Sequence, residues 1–211
     1  VKTEDLIKLI AEDTRRPVNL SAALLAATAG GAVITGVAFF STIGLRPDIG
    51  QAIETVRFLF KFFVTLSLLA AAVSLLAPAI RPVHDQVYRR WLLLTPALLL
   101  FGAVILELIV TPSGLWMHKL VGQNALHCLT IIPILSLFPA VPLFLVIRQG
   151  APENPGFAGV IAALASVGIA ATLYASNCFD DSPLFVATWY PIATLIVAAA
   201  GYFAGKRFLR W

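Results

Sequence analysis

Six apolar runs constrain this chain more than any other feature, covering residues 20–43, 58–77, 91–110, 125–147, 157–175 and 184–204. Each approaches the roughly 20 residues that a helix needs to cross a hydrocarbon core. The first carries no charge, the second holds Lys61 near its start, and the third holds Glu107 near its end. Polar or helix-breaking clusters separate them. Composition supports the same reading: of 211 residues, 59% are hydrophobic and 12% charged, against about 25% charged in a soluble domain. A membrane β-barrel would instead show alternating segments of about 10 residues, whereas these runs are continuous. The first run is too long for the apolar core of a signal peptide, and acids are mixed with the bases before it, so it is expected to be a retained span. The expected fold is therefore all-α: an integral membrane bundle of six transmembrane helices (20–205), with an N-terminal segment (1–19) and a basic tail (206–211).

Lysines and arginines set the orientation. Six spans put both termini on one side, together with Lys2, Lys8, Arg15, Arg16, Arg81, Arg89, Arg90, Arg148, Lys206, Arg207 and Arg210. The other side holds Arg46, Arg57, Lys61 and Lys119. Eleven against four places both termini in the cytoplasm by the positive-inside rule. The formal charge of +4 is the balance expected of a basic face on anionic lipid, with the bilayer as partner and no direct nucleic-acid partner.

The N-terminal segment reads as a short amphipathic helix. Thr3 can cap it, with Glu4 and Asp5 in the first turn. Glu4, Lys8 and Glu12 lie at pairing distance along one face. Leu6, Ile7, Leu9 and Ile10 form an apolar stripe, and Pro17 ends the pattern. A helix this short needs a surface to pack on. That surface is a protein partner, the membrane, or the bundle itself.

Catalysis has little support. The sequence shows no phosphate-binding glycine loop, no paired histidines on a helix, and no serine with a base at motif spacing. An enzyme is not expected, nor a resident cofactor. The two cysteines carry the remaining chemistry. Cys128 opens the fourth span and Cys178 follows the fifth, both on the extracytoplasmic side. Each lies about 30 Å from the loop joining those spans, at 1.5 Å per residue, so the thiols sit at matching depth on antiparallel neighbours. They can form a disulfide if the backbone brings them close enough, capture a soft metal ion with His127, Asp180 and Asp181 as auxiliary groups, or pack as inert apolar groups. No classical metal-ligand spacing is present.

Two ionisable groups lie within spans. Lys61 and Glu107, on neighbouring spans near the outer face, can pair with each other or snorkel, and two such shallow groups are weak evidence for a transport path. Arg46-Pro47-Asp48 is expected to form a turn with an exposed local ion pair of at most about 1 kcal/mol. Pro133, Pro139 and Pro142 crowd the fourth span and are expected to bend or break it.

Several motifs, taken in order, resemble one family. Lys2-Thr3-Glu4-Asp5-Leu6-Ile7, Gly44-Leu45-Arg46-Pro47-Asp48, Phe60-Lys61, Asn124 with Cys128, Gly150-Ala151-Pro152, and Cys178-Phe179-Asp180-Asp181-Ser182-Pro183-Leu184-Phe185 leading to Trp189-Tyr190 are similar to the NrsF-type membrane proteins. These are negative regulators of an extracytoplasmic-function sigma factor in proteobacteria. The resemblance implies an anti-sigma factor at the bacterial inner membrane that holds its sigma factor until an external heavy-metal or oxidative stress acts. It implies sensing at Cys128 and Cys178. The stripe Leu6, Ile7, Leu9 and Ile10 is assigned to sigma binding because it lies on the longest cytoplasmic stretch with an apolar face. A small multi-span transporter or channel is the alternative class, and would need polar groups at mid-membrane.

Overall fold

A computed structural model describes residues 19–80 and 91–209. The N-terminal stripe Leu6, Ile7, Leu9 and Ile10, most of the second polar loop, and the last two residues of the tail lie outside the described residues. Eight α-helices are described: α1 (Leu20–Thr42), α2 (Ile49–Ala52), α3 (Val56–Ala79), α4 (Thr95–Val110), α5 (Trp116–Val121), α6 (Ala125–Ile147), α7 (Pro155–Ala175) and α8 (Pro183–Phe208). Among the described residues, six helical segments are long and apolar enough to cross a membrane. Their limits follow the apolar runs closely except in the fourth, which extends over Ser113–Ile147. The short α2 and α5, by contrast, lie in loops where sequence pattern gave no helix.

Local chemistry starts and stops these helices. Asn19, Thr55, Asn154 and Ser182 each accept a bond from a backbone N–H in the first turn of α1, α3, α7 and α8, satisfying donors that the helix itself cannot. Pro155 and Pro183 occupy first-turn positions, where the missing N–H is no loss. At the end of α1, Gly44 turns back with φ +73°, and its N–H reaches Phe39 O at 3.0 Å. That left-handed cap favours glycine.

The centre of the bundle is α7, with 72% of its span buried; α4, with 17%, is the outermost. α7 packs against α3, α6 and α8, while α1 packs mainly on α6. Spans four and five are therefore the expected antiparallel neighbours. Small residues permit the close approach. A Cβ on Gly159 would run into the carbonyl of Gly201 on α8, and one on Gly201 would lie 2.5 Å from Ala163 Cβ. Small residues spaced in this way let helix backbones meet where lipid offers no hydrophobic drive. Large apolar side chains such as Val33, Val37, Ile109, Leu126, Leu195 and Phe203 point outward.

α6 is continuous from Ala125 to Ile147 despite its three prolines, so the expected break does not occur. Ser136 Oγ, buried in the helix, donates to Ile132 O at 2.9 Å and Pro133 O at 2.8 Å. Pro139 is seated on α1, where a Cβ at Gly31 would lie 2.8 Å from its Cα. Two core clusters divide the interior. One joins Leu24, Leu76, Ile80, Leu143, Ile147 and Leu209. The other joins Phe39, Cys128, Ile132, Tyr174, Cys178, Phe185 and Tyr190.

Candidate functional site

The site is built where the α1–α2 loop, the start of α3 and the α7–α8 loop meet. Arg46 N donates to Ser176 O at 3.3 Å, and Asn177 Nδ2 donates to Gly44 O at 3.1 Å, so the two loops are joined by one backbone bond and one side-chain bond. Arg46 then reaches across. Its Nε and Nη2 donate to the two oxygens of Asp48 at 2.7 Å each. Its Nη1 donates to Asp181 Oδ2 at 2.9 Å and to Cys178 O at 3.3 Å. The guanidinium also lies 4.7 Å from the ring centre of Phe179, a favourable cation–π distance. Lys61, with no exposed surface, pairs with Asp181 Oδ1 at 2.6 Å and donates to Cys178 O at 2.9 Å. Both cations thus converge on the carbonyl of one cysteine and the carboxylate three residues later.

Asp180 faces the other way. Its Oδ2 accepts from Gln123 N at 3.0 Å, Asn124 N at 2.8 Å and Asn124 Nδ2 at 3.0 Å, at the start of the helix that carries Cys128. Gly122 makes this approach possible. Its φ is +59°, and a Cβ there would lie 2.7 Å from Asp180 Cγ and 2.5 Å from the Phe185 ring.

Between these anchors the two thiols are buried in one apolar cluster with Tyr174 and Tyr190. Both cysteines are free. The Cys178 thiol donates to Asp180 O at 3.8 Å and shares a hydrogen bond with the Tyr174 hydroxyl. The Tyr190 hydroxyl is buried and has no hydrogen-bond partner among the described residues; its ring lies 6.4 Å from that of Tyr174. Burial raises the pKa of Cys178, and the charge of Lys61 offsets this only in part. The thiol is therefore kept protonated, whereas nucleophilic attack and metal ligation need the thiolate. The hydrogen bonds that Arg46 donates to Asp48, aided by Asp181, raise the pKa of Arg46 against its burial, and Arg46 in turn holds the Asp48 carboxyl below its ordinary value.

Two sequence expectations are corrected here. Lys61 and Glu107 do not pair. Lys61 turns inward to Asp181, while the buried Glu107 is bound by Arg57 at 2.9 Å and Lys119 at 2.8 Å, with Thr111 Oγ1 donating at 3.1 Å. Glu107 takes its partners from the first turn of α3 and from α5, and Lys61 takes its partner from the α7–α8 loop, so neighbouring spans need not pair their charges. The Arg46–Asp48 pair exists, but Arg46 is buried and shared with Asp181, so it belongs to a network rather than an exposed turn.

The structure unites Cys128 and Cys178 in one cluster, with Asp180 and Asp181 beside them as backbone and ion-pair anchors. His127 is exposed and is not brought to the thiols. Among the described residues, no group of three or more His, Cys, Asp and Glu side chains could hold a metal ion. Sequence reading gave no role to Tyr174, and met Asn124 and Tyr190 only within the family-like motifs. The adjacent pair Asp180-Asp181, between two apolar runs, was the one available signal that this loop binds more than water.

Fold and site define a helical bundle, with six helical segments long and apolar enough to cross a membrane among the described residues, whose polar anchors are gathered around two buried thiols. The family model described as NrsF, negative regulator of sigma F, matches residues 10–211. The chain belongs to this family, whose role is regulatory. It is 32% identical to the anti-sigma-F factor NrsF of Caulobacter vibrioides (strain NA1000 / CB15N) over 219 aligned residues that take in all of both chains. It is 28% identical to the probable anti-sigma-F factor NrsF of Azospira oryzae, again over the whole of both. No solved structure matches.

Proposed function

We propose that this protein is an inner-membrane anti-sigma factor that sequesters an extracytoplasmic-function sigma factor on its cytoplasmic face. It releases that partner when an external oxidant or soft heavy-metal ion acts on Cys128 and Cys178. Family membership supports the regulatory role and a sigma-factor partner. The observation that carries the sensing role is the placement of both thiols in one buried cluster, with the backbone of Cys178 bound by two cations. In oxidation, the two thiols lose two protons and pass two electrons to the external oxidant as one S–S bond forms. In metal capture, both thiols lose protons and the sulfurs bind one soft ion. Either change shifts a two-state equilibrium by as much as it favours one state of the bundle over the other. A tenfold loss of sigma affinity requires about 1.4 kcal/mol.

The test is a sigma-dependent reporter in cells carrying Cys128→Ser with Cys178→Ser. Repression is expected to persist and the response to oxidant or metal to disappear. A normal response would overturn the sensing role. Failure of the sigma factor to co-purify with the solubilised full chain would overturn the partner assignment, and loss of co-purification on deleting residues 2–19 would place the binding site there.

A further inference from the structure

Stability alone does not account for Lys61. A buried ion pair can often be exchanged for apolar residues without loss, and its best-attested use is to fix a register or a switch. Lys61 is wholly buried and has two acceptors, Asp181 Oδ1 at 2.6 Å and Cys178 O at 2.9 Å. Arg46 binds the same two groups from the α1–α2 loop. Asp180, between them, binds the start of α6. The four residues from Cys178 to Asp181 thus tie three separate elements together.

α3 can carry a displacement from this junction. It is continuous over 24 residues, about 36 Å at 1.5 Å per residue. One turn from Lys61, Thr65 Oγ1 lies 2.9 Å from Thr172 Oγ1 on α7. Further along, a Cβ on Gly168 would lie 2.8 Å from Leu69 Cα, so the helices are in register without slack. Just beyond the far end of α3, the Ile80 side chain lies against Gly150 in the α6–α7 loop. A close-packed helix moves as a unit rather than deforming locally.

We propose that Lys61 is a positioning residue: its contacts with Asp181 and Cys178 O form a latch that holds Cys178 buried and links displacement of the Cys178–Asp181 segment to α3. The link to signalling rests on the reading of Cys178 as a sensing thiol; the positioning of Cys178 does not.

The chain has two cysteines, so each can be followed alone. In purified full-length protein, Cys128→Ser leaves Cys178 for maleimide labelling, and Cys178→Ser leaves Cys128. Lys61→Met is expected to speed labelling of Cys178 about tenfold and to leave Cys128 nearly unchanged, with Lys61→Arg close to the parent. An unchanged Cys178 rate, or equal acceleration of both thiols, would overturn the latch. Where Lys61→Met does not fold, Asp181→Asn makes the same prediction. In the cellular reporter, Lys61→Met is expected to keep repression and respond at lower oxidant or metal concentration. A normal response there, beside none in the thiol-free double variant, overturns the link to signalling and leaves sensing standing. A full response in the thiol-free variant overturns sensing, and the labelling ratio still decides whether Lys61 positions Cys178.

Discussion

Asp180 binds Asn124 twice, through its backbone N–H at 2.8 Å and its side-chain amide at 3.0 Å. The loop that follows Cys178 therefore fixes the start of the helix that presents Cys128. Asp180→Ala removes this acceptor from three donors at once. It is expected to cost about 2 kcal/mol or more, since hydrogen bonds to a charged group are worth about 1.5–3 kcal/mol each. Unfolding in mixed micelles measures the loss, which Asp180→Asn, retaining one oxygen, should reduce.

The glycines of the bundle are not equivalent. Gly159→Ala forces a methyl group into the Gly201 carbonyl and is expected to destabilise the protein by about 1–3 kcal/mol, the usual range for overpacking. Gly30→Ala meets nothing within 4 Å and should be neutral or stabilising by up to about 1 kcal/mol, through helix propensity. The same unfolding assay separates them.

The two tyrosines of the thiol cluster should respond in opposite ways. Tyr174→Phe loses the hydrogen bond to Cys178 and should cost about 1 kcal/mol. Tyr190→Phe removes a buried hydroxyl that has no partner among the described residues, so stability should be unchanged or higher. Comparing their unfolding midpoints tests this.

Acid should reach the Arg46 clamp late. Because Arg46 holds the Asp48 carboxyl below its ordinary value, this contribution is present above about pH 4, the usual aspartate value. It is lost as pH falls through the lower folded-state value. The unfolding midpoint followed against pH should lose part of this acid-side decline in Asp48→Asn.

Alkali should reach Cys178 late as well. Burial raises its pKa, so its stabilising contribution is complete below the unfolded thiol value of about 8.5 and is lost as pH rises through the folded one. Maleimide labelling of Cys178 in the folded protein should accelerate at higher pH than labelling of a free thiol.

The spans were legible because lipid imposes one rule on every residue of a run: a long apolar stretch reads the same whatever packs against it. Residues 125–147 show this, since three prolines did not break the helix that hydropathy predicts. The site was legible only as a list of parts. Cys128 and Cys178 could be placed at equal depth by counting residues along two helices. Their anchors could not, because Lys61 chooses Asp181 over Glu107 through the rotation of α3 and the path of the α7–α8 loop, which no local pattern encodes. His127 shows the same limit from the other side: it adjoins Cys128 in sequence, but a helix turns adjacent residues about 100° apart.

The central position of α7 also has a bearing on biosynthesis. α1 depends mainly on α6, and α3 mainly on α7, so the early helices leave the ribosome before their principal neighbours exist. α1 gains its main neighbour once Ala125–Ile147 is made, whereas α3 has none until Pro155–Ala175 arrives. A translation product that stops short of that segment would keep the pairing of α1 with α6 and leave α3 without its main partner.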